Sequence, residues 1–291
     1  MALLKMESTS TSNVVLYDTV PELSDLLAGR NEDLNLDVAA LQLARVEFPG
    51  LEIAPFVAVL DSYAVELSER LGEAPNGPQY VAAANRYIFE ELGFRGNQTD
   101  YYNPHNSCLN QVLVSRLGIP ITLSIVYLEI GRRLAKPVHG IGLPGHFLVE
   151  YNDGEFSTYL DPFDSGKLLP AAECYELARR ITGVDVSEDP SILAPVGKRH
   201  ILLRMLNNLR GIYLRSQAWR KVTEVLDLLI AAEPDSAEQH KQRAFLHLQL
   251  HRFKAAKTDL EKYLMLAPDA ADRAEVEQQL RSIQHRLAQL N

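Results

Sequence analysis

The chain has 291 residues, 46% hydrophobic and 23% charged, an ordinary globular balance with enough apolar content for a sizeable core in one large domain or two of ordinary size. Its net charge of −9, from 29 basic and 38 acidic residues, disfavours nucleic acid or an anionic membrane as the main partner, because both need a basic face. The two cysteines, Cys108 and Cys174, form no CxxC pair and no disulfide framework, so no zinc or redox motif is visible and a reducing, cytoplasmic setting is expected.

Residues 1–16 are polar and rich in Ser and Thr, read as a loose tail without the apolar stretch of a secretory signal. From Val20 to about Leu92 the pattern is helical. "LDVAALQLARVEFPG" puts Val38, Leu41, Leu43 and Ala44 near one face and stops at Pro49-Gly50. "APFVAVLDSYAVELSERLG" repeats the theme with Val57, Leu60, Tyr63, Ala64 and Leu67, and "GPQYVAAANRYIFEELGF" gives a third helix. "RGNQTDYYNPHNS" is a polar loop of turn formers. "CLNQVLVSRLG" and "ITLSIVYLEIGRRL" are two further helices, separated by Gly118 and Pro120. The most apolar window, Leu117 to Leu128, lies between Arg116 and Glu129 and is too short to span a bilayer.

The texture then changes to period two in "PVHGIGLP", "HFLVEY" and "EFSTYLDP", which predicts strands. The predicted fold class is α+β, with helices packed on a small antiparallel sheet over residues 17–195. "EDPSILAPVGKRH" looks like a boundary, and residues 196–291 are helical throughout. Pro234 and Pro268 lie 34 residues apart, and Trp219/Phe253 and Leu226/Leu260 share that offset. A 34-residue helix-turn-helix period with a closing proline is the tetratricopeptide signature, so the tail is expected to offer a surface for a protein or peptide. The charged final helix fits a cap.

"NDG" at 152–154 predicts a two-residue type I′ hairpin at Asp153-Gly154. That register sets Tyr151 opposite Phe156, Val149 opposite Thr158 and Phe147 opposite Leu160. On the other face His146 meets Asp161, with Cβ atoms about 4.5–5.5 Å apart. Such a carboxylate can orient an imidazole and fix its tautomer, as in a nucleophile–His–Asp site. The same pair also suits a structural tie at the end of a hairpin. Pro144 and Gly145 would present the ring at the strand edge.

Two nucleophiles are candidates. Cys108 follows "NPHNS", where Asn106 or Ser107 could N-cap a helix and the helix dipole would favour a thiolate; a buried, inert Cys is the alternative. Ser124 lies early in the helix after Pro120, 22 residues before His146, which is 15 before Asp161; it would need a strong base and an oxyanion hole. His139, His146 and Asp161 match no metal-ligand spacing, and no metal or cofactor is expected.

"YYNPHNSCLNQVLVSRLGIPITLSIVYLEIGRRLAKPVHGIGLPGHFLVEY" followed by "YLDPF" closely resembles the SirB family, transglutaminase-like proteins with a tetratricopeptide tail. The resemblance spans about residues 20–290. It implies a cysteine-protease-like core in which a Cys at a helix N-terminus precedes strands bearing His and Asp. His146 and Asp161 match the second and third members, and the first falls at about Ser124, which is not a cysteine. Two functions follow as expectations. One is a catalytically silent core that binds a protein or peptide through its cleft and tail. The other is a thiol hydrolase or acyltransferase in which Cys108 attacks, His146 serves as base and acid, and Asp161 orients it.

Overall fold

In the computed structural model the described residues are 22–29, 34–184, 186 and 189–289; the tail expected at residues 1–16 lies outside them. Among the described residues the first five α-helices are α1 (Leu23–Ala28), α2 (Leu36–Leu43), α3 (Ala54–Arg70), α4 (Gly77–Asn85) and α5 (Leu109–Ser115). The start of α4 is fixed by a reciprocal cap, in which Gln79 N donates to Asn76 Oδ1 and Asn76 N donates to Gln79 Oε1, each at 3.0 Å. Its end widens into a π-helical turn over Arg86–Glu91. Short strands β1 (Arg95–Gly96) and β2 (Leu117–Gly118) pair in parallel.

The apolar window is α6 (Pro120–Arg133), started by proline and buried from Pro120 to Gly131. It is the central helix of the domain. One side packs on the sheet and the others on α2, α3 and α5. No helix among the described residues is long and apolar enough to cross a membrane.

The sheet is antiparallel in the order β3 (Val138–Ile141), β4 (Leu148–Asn152), β5 (Ser157–Asp161) and β6 (Lys167–Leu169). As expected, Phe147, Val149, Tyr151 and Leu160 face the helical core. The opposite face is covered too. Ile141, Leu143, Leu148 and Leu169 form a second cluster with Cys174, Tyr175, Leu177 and Ala178 of α7 (Ala171–Thr182). Each such large apolar side chain contributes about 1.5–3 kcal/mol by leaving water.

The tail comprises α8 (Lys198–Arg215), α9 (Trp219–Ala232), α10 (Ala237–Gln249), α11 (Phe253–Leu266) and α12 (Arg273–Gln289). The 34-residue offset is structural: Trp219 opens α9 as Phe253 opens α11, and Pro234 and Pro268 follow their ends. The hydrophobic core does not stop at residue 196. Ile201, Leu202, Met205, Leu206 and Leu209 of α8 belong to the same cluster as α6 and the sheet. A separate tail cluster, Ala244, Ala256, Leu260, Tyr263, Val276 and Ile283, begins with α10.

Candidate functional site

His146 enters the site on a tight turn. Its amide donates to the Leu143 carbonyl at 3.0 Å, with Pro144 and Gly145 between, the proline-then-positive-φ pattern of a type II turn. Gly145 has φ +71°, and a Cβ there would lie 2.6 Å from Ile181 Cγ2, so the position takes no side chain. Arg204 of α8 holds the turn from outside, its Nη2 donating to the carbonyls of Leu143 at 2.8 Å and His146 at 2.5 Å.

The predicted pair forms. His146 Nε2 and Asp161 Oδ2 are 2.9 Å apart, and both residues are buried. The predicted register does not. Asn152 pairs with Ser157 rather than Glu155, and Val149 with Leu160. The loop has four residues because the Asp153 side chain organises it: Oδ1 accepts from Glu155 N at 3.0 Å and Phe156 N at 2.7 Å, and Asp153 N donates to Phe156 O. Asp161 therefore sits diagonally from His146, still on the same face, within side-chain reach. Its second oxygen, Oδ1, accepts from the backbone of Phe163 at 3.0 Å and Asp164 at 3.4 Å. One carboxylate thus caps the turn after β5 and fixes the imidazole.

Among the described residues no hydrogen bond joins either candidate nucleophile to this pair. Cys108 is the residue just before α5, wholly buried, with its sulfur 3.5 Å from the Pro104 carbonyl oxygen. Burial, reinforced by Glu47 and only partly opposed by Lys221, pushes its thiol up to about 12. Cys174 is the cysteine within range of Asp161: burial and then the Asp161 charge push its thiol up to about 12 as well. Ser124 is also fully buried, and its hydroxyl donates to the Pro120 carbonyl one turn back at 2.8 Å. His139 is the exposed residue of β3, opposite Glu150. Among the described residues no group of three or more His, Cys, Asp or Glu could hold a metal ion.

What the structure adds is a seam between the core and α8. A series of rings runs from the surface to the pair: Tyr102 to Tyr101 at 5.3 Å, Tyr101 to Phe163 at 5.8 Å, and Phe163 to His146 at 6.1 Å between centroids. Beside it lies a hollow of about 200 Å³ lined by Tyr101, Tyr102, Asn208, Gly211, Arg215 and Ile119, the last being the residue that precedes α6. An adjoining hollow of about 460 Å³ is edged by Pro104, Tyr213 and the Lys221–Glu47 ion pair of 2.5 Å. The sequence pattern marked "RGNQTDYYNPHNS" only as a loop. Two adjacent tyrosines in a polar loop were the signal available there.

A profile described as transglutaminase-like superfamily matches residues 54–207, and one described as tetratricopeptide repeat matches residues 209–281. A UPF0162 protein of Xylella fastidiosa is 36% identical over 252 residues, covering 86% of this chain and 90% of that protein. A UPF0162 protein of Pseudomonas aeruginosa is 29% identical over 244 residues, covering 83% and 88%. F-box only protein 21 of Homo sapiens is 33% identical over 184 residues, 59% of this chain and 28% of that longer protein.

Proposed function

The chain belongs to the transglutaminase-like superfamily, together with the UPF0162 proteins, and from that premise we propose that it is a non-catalytic, SirB-type member that binds a protein or peptide through its cleft and its repeat tail. The observation that carries this reading is the state of the nucleophiles. The hydroxyl of Ser124, at the position the family pattern gives the nucleophile, is buried and committed to a backbone carbonyl. The Cys108 thiol is buried against Glu47 and pushed up to about 12, the opposite of the depressed value that arms a catalytic cysteine. His146 and Asp161 then serve to hold the cleft's shape, with Asp161 capping one loop and tethering the turn of the other. Two buried free cysteines fit a cytoplasmic, reducing setting.

The test is turnover. The purified chain is incubated with peptide amides and with a fluorescent primary amine, the acyl acceptor, plus a glutamine-bearing protein as acyl donor, from which ammonia would leave. No hydrolysis or amine incorporation above that of His146→Ala is expected. Turnover that disappears in both His146→Ala and Cys108→Ala overturns the reading and establishes the thiol acyl-transfer alternative, which the 2.9 Å His146–Asp161 contact would then serve.

A further inference from the structure

α8 places Arg204, Asn208, Gly211 and Arg215 at successive spacings of four, three and four residues, which puts them on one stripe of the helix. The stripe faces the Tyr101–Tyr102 loop and spans about 16 Å at 1.5 Å per residue. Four of its features point to a ligand.

Arg204 is half-buried, yet among the described residues no carboxylate meets its guanidinium. It donates to two backbone carbonyls and lies 5.5 Å from the Phe147 ring centroid. Burial lowers its pKa, and the Tyr101 hydroxyl opposes this. A desolvated cation with no counter-ion is costly unless something anionic comes to it. Arg215 at the other end is exposed, lies over the Tyr102 ring at 4.2 Å, and also meets no carboxylate among the described residues. Between them, Gly211 sits in the helix interior, where glycine costs about 1 kcal/mol against alanine. A Cβ there would meet nothing within 4 Å, so packing does not require the glycine. Its effect is to keep the hollow open. The Asn208 side-chain amide at the rim makes no hydrogen bond among the described residues.

We propose that this seam is the binding site for an acidic peptide segment of a partner protein, lying extended along α8 with carboxylates on Arg204 and Arg215 and its backbone over Gly211 between the two tyrosines. The occupant follows from complementarity. Two guanidinium groups without a carboxylate partner among the described residues lie on one stripe of α8, Arg215 lining the hollow and Arg204 beyond its end, in a chain whose net charge is −9. A small anion cannot reach both. About five extended residues at roughly 3.3 Å each match the span. Tyr101, Tyr102 and the Asn208 amide offer ring faces and a donor–acceptor pair to the peptide between its charges. Arginine forks are suited to carboxylates, and such charge-assisted bonds are about twice as strong as neutral ones.

This inference rests on the non-catalytic binding reading and is tested so that the two fail separately. Fluorescein-labelled penta-glutamate, penta-glutamine and penta-lysine are titrated with the full chain by anisotropy at low and high salt. Penta-glutamate should bind at least about tenfold tighter than the other two, and salt should weaken it. Gly211→Leu, which fills the hollow from a half-buried position where a Cβ meets nothing within 4 Å, should weaken binding about tenfold or more. Gly211→Ala, which adds one methyl, should weaken binding less than Gly211→Leu does, and Arg215→Gln should lose about three- to tenfold. Equal binding of penta-glutamine, no effect of Gly211→Leu and Arg215→Gln, competition by free glutamate at the same concentration as the pentapeptide, or equal binding of an oligothymidine would each overturn the proposal. The recovered peptide is weighed by mass spectrometry. A cleaved or modified acidic peptide overturns the non-catalytic reading and leaves the seam standing; an intact peptide bound without acidic preference overturns the seam alone.

Discussion

The thiol of Cys108 separates a binding protein from an enzyme by a margin large enough to measure. Its titration is pushed from 9.0 to about 12 by burial and by Glu47. At pH 7 the thiolate fraction then falls from about 1 in 100 to about 1 in 100,000, a loss of about a thousandfold. A more basic thiolate is intrinsically more nucleophilic, by about 0.4–0.5 logarithmic unit per unit of pKa, which returns about twentyfold. The net chemical protection is about fiftyfold, before counting that the sulfur must be uncovered to react. A catalytic cysteine would be mostly thiolate at this pH and would label faster than an ordinary thiol. The assay is alkylation with iodoacetamide at pH 7, followed by peptide mass mapping of Cys108 and Cys174, in the native chain and in urea. Both cysteines should be protected at least about fiftyfold in the native chain, and His146→Ala should change neither. Native Cys108 that labels as fast as it does in urea, and slows when His146 is removed, would refute the argument from burial.

Other consequences concern stability. Arg133 joins three carboxylates, Asp37 at 2.5 Å, Glu129 at 2.7 Å and Asp61 at 2.7 Å, and the first two are buried. Arg133→Ala should cost about 2–4 kcal/mol in urea denaturation, because it leaves two buried acids sharing only the half-exposed Arg132, 2.8 Å from Glu129 and 3.7 Å from Asp37. Burial and Asp37 already raise the Glu129 carboxyl, so the folded state holds that proton longer than the unfolded chain; the cost should therefore be smaller at pH 5.5 than at pH 8. Asp161→Ala removes both a loop cap and the partner of a buried imidazole, and should lower stability by about 2–4 kcal/mol by the same assay. In the tail, burial lowers His247, while Arg243 and His240 overcome burial to hold Asp259 below the usual carboxylate range. Both shifts give stability that is full above the unfolded values. It should be lost as pH falls, through His247 below about 6.5 and through Asp259 below about 4. Melts of the full chain at pH 7.5, 5.5 and 3.5 should show this decline, and His247→Gln should flatten its upper part.

The His–Asp pair was legible in the sequence for a reason that survives an error. Reading Asp153-Gly154 as a two-residue turn missed that Asp153 would use its side chain to bind Glu155 and Phe156, lengthening the loop by two. Slipping a strand by two residues keeps every side chain on its face, whereas a slip of one would have sent Asp161 to the core side. The pair therefore formed on the diagonal, with an aspartate just short enough to cap the next turn and reach the ring. The helices and the 34-residue period were legible because burial is periodic along a single element. The seam was not, since it depends on where α8 lies against a loop about a hundred residues earlier. Arg204 reads in sequence as one more surface arginine; only its two carbonyl partners and missing acid give it meaning. The same helix explains why the chain is not simply a core with a tail attached. Its apolar stripe completes the core through Ile201, Leu202, Met205 and Leu209, while its polar stripe walls the cleft that leads to His146. A segment bound along that polar stripe would lie on the helix that both completes the core and packs against α9, the first helix of the repeats.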